Sequence, residues 1–250
     1  SVYATKSGGG FGDSRITIRG FAQENIAVLI NGVPVNDMEN GKVYWSNWSG
    51  LSDVTTAMQV QRGLGSSKLA ISSVGGTINI ITKTTDLEEG GSIVSSIGND
   101  GYFKNLASYN TGKNENGFAA SFLMSRTAGN GYVDGTEFEG FNYFVGLGWD
   151  KGDHNFQFML TGAPQTHNQR TTSFFNMADI GDYLKYGKKY NYNHGYLNGE
   201  EFNWRKNFYH KPVSSFNWSW DINETSNLTT SAYVSFGRGG GTGDIGRMGG

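Results

Sequence analysis

Arg15-Ile16-Thr17-Ile18-Arg19-Gly20-Phe21, then Asn25-Ile26-Ala27-Val28-Leu29-Ile30-Asn31-Gly32-Val33-Pro34-Val35, then Met58-Gln59-Val60-Gln61-Arg62-Gly63 with its close at Gly75-Gly76-Thr77-Ile78-Asn79-Ile80-Ile81-Thr82-Lys83, decide how this chain is read. Each phrase is a β-favouring run ended by glycine. Ile16 and Ile18 alternate with Arg15, Thr17 and Arg19, the period of a half-buried strand. Val28-Leu29-Ile30 leads into Asn31-Gly32, the dipeptide that most favours a tight type I′ turn, and so predicts a hairpin. Leu51, Val54 and Met58 stand at helical spacing around Ser49–Ala57 and predict a short helix, with Ser49 or Ser52 as its N-cap. The expected unit is α+β, with short strands, glycine corners and one helix.

In this order the phrases resemble the plug domain of the TonB-dependent outer-membrane receptors, in their Bacteroidetes-like form. That pattern has a strand ending in Ile-Arg-Gly-Phe, a hairpin around Leu-Ile-Asx-Gly-Val-Pro, a helix, Arg-Gly-x-x-Ser, and a close of Gly-Gly-x-Ile-Asn-Ile-Ile-Thr-Lys. All five parts occur here. The resemblance implies a plug over residues 1–85, without its N-terminal part. It implies that 86–250 form the first strands of an antiparallel transmembrane β-barrel, incomplete here, whose family form has 22 strands.

The remainder supports a barrel on its own terms. Seven segments alternate from residue 91 onward: 91–98, 102–110, Phe118 to Met124, Phe141 to Trp149, Phe156 to Leu160, Phe216 to Ile222, and Leu228 to Phe236. A tilted strand crosses a bilayer in about 9–11 residues, the length of the clearest of these. Short polar links at 111–116, 150–153 and 223–227 alternate with longer ones at 128–139, 163–212 and 237–250. That is the expectation when one rim faces the periplasm and the other the outside. The tight turn Asn99-Asp100-Gly101 is the exception, placed on the outer rim. A soluble β-sandwich would show similar alternation; the large aromatic faces, Trp218 with Trp220 and Phe141 with Tyr143 and Trp149, favour the interfacial girdles of a membrane barrel. Seven strands leave an open edge, which lipid does not tolerate, so the chain is expected to be one part of a larger barrel.

Composition agrees. The chain has 250 residues, a net charge of −2, no Cys, 38 Gly and 3 Pro. Near-neutral charge argues against nucleic-acid binding. Zero Cys excludes disulfide scaffolds, zinc fingers and thiol catalysis. No run reaches 18 apolar residues, and Ser1-Val2-Tyr3-Ala4 has no signal-peptide pattern; with the plug resemblance, the chain is expected to start inside a mature protein, after the signal and the energy-coupling segment.

Chemical motifs are weak. Gly63 to Lys68 lacks phosphate-loop spacing and reads as a glycine corner. Asp37-Met38-Glu39-Asn40-Gly41 is half of a calcium loop without the distant bidentate Glu; it reads as a solvated turn, with weak calcium binding left open. His167, His194 and His210 have no ligand spacing. No enzyme, cofactor or metal is expected.

Two stretches look functional. Tyr44, Trp45, Asn47 and Trp48 sit where the resembled family places its plug apex, although Trp45 or Trp48 could instead anchor the plug core. The connection 163–212 is long and aromatic, and offers Phe174, Phe175, Tyr190, Trp204 and Arg205 as ligand contacts. Its 203–207 stretch could equally be an inward-folded brace. Arg19 and Arg62 are expected to hold the plug by pairing with carboxylates on wall strands outside the chain. The resemblance implies a gated importer in the bacterial outer membrane, surrounded by its lipid and driven by the TonB–ExbB–ExbD complex. It would take a scarce small-molecule or oligosaccharide ligand (ferric siderophore, glycan, peptide or cobalamin), with a surface lipoprotein as a further partner. The alternatives are a surface ligand-binding protein without transport and, third, a soluble β-rich enzyme.

Overall fold

The computed structural model describes residues 2–6, 11, 14–48, 50–62, 73–170 and 180–243. The N-terminal part contains β1 (Val2–Lys6), β2 (Ser14–Ile18), β3 (Ile26–Ile30), β4 (Val33–Pro34), β5 (Ala57–Arg62) and β6 (Gly76–Ile81). β1 pairs with β2, while the other four form one sheet in the order β4-β3-β6-β5. Asn31 and Gly32 both have positive φ, 49° and 80°, as the expected type I′ hairpin requires. β3 and β6 are parallel, Ile26 opposite Gly76 and Ile30 opposite Ile80.

The expected helix is replaced by two single 3₁₀ turns, Trp45–Trp48 and Leu51–Val54. Residues three apart fit 3₁₀ winding as well as α, and Met58 is claimed by β5, opposite Ile80. The second turn is capped by Gly50 with no side-chain cap bond, and Ser52 lies inside it. Ser49 and Gly63–Lys68 fall outside the described residues.

The wall follows: β7 (Gly90–Ile97), β8 (Phe103–Asn110), β9 (Phe118–Gly129), β10 (Phe138–Lys151) and β11 (His154–Gly162). After β12 (Gln165–Asn168), α1 (Ile180–Tyr186), β13 (His194–Leu197), β14 (Glu200–Asn203) and β15 (Lys206–His210) come β16 (Val213–Asn223), β17 (Ser226–Ser235) and β18 (Arg238–Gly241). The seven alternating segments become β7, β8, β9, β10, β11, β16 and β17, neighbours in that order in one open antiparallel meander. Along β9, Phe118, Phe122 and Met124 are exposed while Ala119, Ser121, Leu123 and Ser125 are buried. Ile93 and Met124 are 90% and 72% exposed. The large apolar set is the uncovered one, the inverse of a water-soluble sandwich and the pattern of a strand with lipid outside.

The plug lies on the wall's inner side. Ile18, Ile26, Val28, Ile30, Val43, Trp48, Ile78 and Ile80 share one hydrophobic cluster with wall residues Leu106, Leu123, Phe144, Met159 and Val213. At the outer end, the long connection is not irregular. β12 prolongs β11 and pairs with β10 and β15, and β18 pairs with β15. The strands break at one level, at Ala163-Pro164, Lys211-Pro212 and Phe236-Gly237. The breaks are tied together by Phe141 N–H to the Pro164 carbonyl (2.9 Å) and Phe236 N–H to the Pro212 carbonyl (3.3 Å). Proline has no N–H to continue a ladder, so the sheet creases along this line.

Candidate functional site

Orientation comes from how the plug leaves the wall. The Gln157 side chain accepts from the Thr84 N–H (3.2 Å) and donates to Thr85 Oγ1 (2.8 Å), close to the short turn between β10 and β11. A Cβ on Gly146 would lie 2.2 Å from Thr84 Oγ1, and one on Gly148 would lie 2.5 Å from Thr85 Cγ2. The missing side chains on the inner face of β10 are what let the exit segment through. Higher up, Asn31 Nδ2 donates to Thr82 Oγ1 (2.8 Å) and to Met159 Sδ (3.4 Å). Asp53 of the plug meets Lys104 of β8 at 2.9 Å.

β3 and β6 both run toward this exit, so their starts mark the opposite end of the plug, its apex. Asn36 Nδ2 bonds the Ile26 and Gly41 carbonyls there (both 2.9 Å), and Lys42 faces Glu24 at 3.6 Å. Asp37 Oδ1 accepts the Glu39 and Asn40 N–H groups (3.0 and 3.2 Å), which makes 37–41 a self-bonded turn. A cavity of about 550 Å³ opens beside it, lined by Arg15, Ile16, Gln23, Glu24, Lys42 and Tyr44. Tyr44 is 38% exposed, its hydroxyl accepting from Asn40 Nδ2 at 2.9 Å. Gln23 Oε1 is buried with no donor among the described residues. The cavity therefore offers two cations, a carboxylate, an amide and a phenol to a polar ligand.

The four expected apex residues separate. Tyr44 faces the cavity, Trp45 is half-buried against the core, and Asn47 and Trp48 are buried, 5% and 7% exposed. Asn47 and Trp48 are thus out of reach of a ligand resting on this surface; Trp48 is the core anchor. Arg15, Gln23, Glu24 and Lys42 were not singled out in the sequence. Arg15 read only as the polar face of a strand, and nothing local marks the other three.

Phe174 and Phe175 lie outside the described residues. Tyr190 is half-buried and stacks on Tyr186 (4.5 Å); desolvation first, then the nearby Asp182 charge, raises its phenol above the ordinary range and keeps it a neutral donor. Trp204 is half-buried, its backbone N–H donating to the Asn193 carbonyl (3.1 Å), while exposed Arg205 lies 5.0 Å over its ring. The amides of Asn191, Asn193 and Asn203 all reach the Gln169 carbonyl (3.2, 3.0 and 3.1 Å), and Asn203 also reaches that of Gly135 (2.7 Å). Asn203 and Trp204 are brace residues, and the long connection is knitted to the shorter one at 130–137.

Arg19 and Arg62 are exposed, Arg19 in a left-handed turn (φ 54°) and Arg62 at the end of β5. Neither is the buried charge expected, and neither has a carboxylate partner among the described residues. The plug–wall ion pair found there has the reverse polarity, Asp53 on the plug and Lys104 on the wall.

Residues 1–77 match the family model described as TonB-dependent Receptor Plug Domain. By sequence the chain is similar to "Probable TonB-dependent siderophore receptor PirA" of Acinetobacter baumannii, 31% identical over 88 residues, which is 32% of this chain and 12% of that protein. Among solved structures it resembles the siderophore receptor PiuA from Acinetobacter baumannii (TM-score 0.67, 17% identity, 96% of this chain and 33% of that one). It also resembles the open form of the ferric-catecholate import receptor Fiu from E. coli K12 (TM-score 0.64, 15% identity, 93% and 35%). At these identities the structures share its fold, a plug with antiparallel barrel strands, and the chain spans about a third of their length.

Proposed function

From the plug-domain match over residues 1–77 and the shared receptor fold, we propose that the chain is the gate and the first part of the wall of a TonB-dependent outer-membrane receptor, an active importer for a ferric siderophore. The outer membrane holds neither ATP nor an ion gradient, so the work comes through the periplasm from TonB with its ExbB–ExbD motor. The ligand rests on the apex cavity, with Tyr44, Lys42, Arg15 and Gln23 as contacts, and Tyr190 and Arg205 reach it from the knitted outer loops. The observation that carries this reading is the plug held against the inner wall at Asp53–Lys104, Asn31–Met159 and Thr84–Gln157. Beside the hydrophobic cluster that plug and wall share, these polar contacts are few, as a movable element needs. The siderophore class rests on the names of similar proteins; glycan, peptide and cobalamin are the other ligand classes.

The test is uptake of radiolabelled iron from siderophore panels by cells with and without the full-length receptor, each with TonB intact or deleted. Receptor- and TonB-dependent accumulation supports import. Binding without accumulation supports the rival, a surface ligand-binding protein. Accumulation of labelled oligosaccharide, peptide or cobalamin in place of iron would keep the importer and replace its ligand.

A further inference from the structure

One aromatic side chain ties the beginning of the chain to the outer end of the wall. Phe11, between β1 and β2, lies face to face with Phe138 of β10, the ring centroids 4.4 Å apart and the planes 4° from parallel. The ring of His167 meets it in a T-shaped pair at 5.9 Å. Aromatic pairs at about this spacing attract beyond the area they bury.

The wall is shaped to receive this ring. Register puts Phe138 opposite His167 and Gly140 opposite Gln165. All four share the face of β10 that carries buried Asn142 and Phe144, the inside of the wall. Gln165 and His167 are buried and joined by a 2.9 Å hydrogen bond between Oε1 and Nδ1. A Cβ on Gly140 would stand 3.3 Å from Phe11 Cζ, so the glycine keeps the floor of the socket clear.

The position of the socket matters for force. β1 and β2 are antiparallel, with Val2 opposite Ile18 and Lys6 opposite Ser14. Ser14 and Arg15 line the apex cavity, so the closed end of this pair is at the apex. Its open end, where Ile18 is wholly buried, points away from the apex. A pull from the periplasm through residues preceding Val2 enters at that open end. It loads the ladder one bonded pair at a time, starting at Val2–Ile18, because the bonds of an antiparallel pair lie across the strands. β1 pairs with β2 alone among the described strands. Such unzipping meets little resistance until it reaches Phe11, the first residue in its path that is held by the wall and not by the plug.

We infer that Phe11 in its socket is a mechanical stop. It ends the free travel of the N-terminal strand and passes further pull to the junction of β10 and β12. The stop rests on the proposal that TonB pulls on this chain, and it is independent of which ligand is imported.

Single-molecule force spectroscopy tests this on the full-length receptor in outer-membrane lipid, pulled from the periplasmic face through Ser1→Cys in a stretch that has no cysteine of its own. The parent gives a force peak after about 35 Å of released chain, roughly ten residues at about 3.5 Å each. Phe11→Ala loses that peak and keeps the later ones, while Phe11→Tyr retains it. Gly140→Leu fills the socket from the wall side, leaves the plug unaltered and also loses the peak. Phe11→Ala combined with Gly140→Leu behaves like either alone, as partners in one contact do. Heat-modifiable migration shows that each variant is a folded barrel. A peak that persists in folded Phe11→Ala or in folded Gly140→Leu overturns the stop, as does an equal lowering of every peak. TonB-independent uptake would remove the natural pull and leave the peak in place, so the two proposals fail separately.

Discussion

Tyr44 and Trp48 belong to one short segment and have opposite fates, and the difference fixes what their removal does. Tyr44 presents its ring to the apex cavity. If it is a contact, Tyr44→Ala weakens siderophore binding to purified receptor by about tenfold or more at unchanged stability, the effect of truncating an aromatic anchor. An unchanged affinity moves the ligand off the apex cavity. Trp48 is buried in the plug core. Its replacement by alanine removes a large apolar group and leaves a cavity, at a cost of about 3–5 kcal/mol to the plug. Thermal unfolding of the receptor detects this as an earlier plug transition, whatever happens to ligand affinity; an unshifted transition would remove Trp48 from the core. Asn47 goes with Trp48. A sequence places an aromatic in a segment, but which side of that segment faces the core depends on partners such as Ile18 and Ile80, far away in the chain.

Among elements, β10 carries the most information. Gly146 and Gly148 look in the sequence like the small positions of an alternating strand, yet they are where the plug's exit segment lies flush against the inner face of the wall. Gly148→Val is expected to push Thr85 and Gln157 apart and open the exit segment. Trypsin cleavage of the native receptor at Lys83 should then rise several-fold over the parent, with Gly195→Ala, in open space, as the silent control. No increase would mean that the exit segment has another anchor. The wall strands were legible because each repeats one rule, apolar outward and small or polar inward, over a length the bilayer dictates. The Asn31-Gly32 hairpin was legible because few other dipeptides take two positive φ values in succession. β12 was not, since Gln165-Thr166-His167-Asn168 contains no apolar residue to alternate and is a strand because β10 and β15 flank it. The helix expected at Ser49–Ala57 failed because its three marker residues served two structures, a 3₁₀ turn and a strand.

For the whole molecule, the decisive relation is how firmly the plug is held. Asp53 and Lys104 keep partial access to water, 22% for each side chain, so their attraction is worth at most about 1 kcal/mol after screening. Asp53→Asn alone is therefore expected to raise passive entry of a large antibiotic several-fold without releasing the plug. Arg19→Gln with Arg62→Gln adds to that leak only if wall carboxylates outside this chain reach those exposed guanidiniums. The parent, Asp53→Asn, the arginine pair and all three substitutions together, compared by killing curves at matched receptor abundance, separate the contributions. Equal leak in the parent and Asp53→Asn would leave the shared hydrophobic cluster and the hydrogen bonds at Gln157 and Asn31 as the restraint.

The parallel pairing of β3 with β6 reaches beyond the finished structure into the order in which it is made. Ile26 cannot meet Gly76 until everything between them has been gathered in, and such long-range parallel pairing is slow to form. From β7 to β11 the wall strands join chain neighbours, mostly through short turns, and hairpins of that kind close quickly. Left to intrinsic rates, the wall would zip up before its occupant was ready. Something must hold the nascent strands apart long enough for the plug sheet to be completed within them, so correct assembly is a race whose slower runner has to be given a head start.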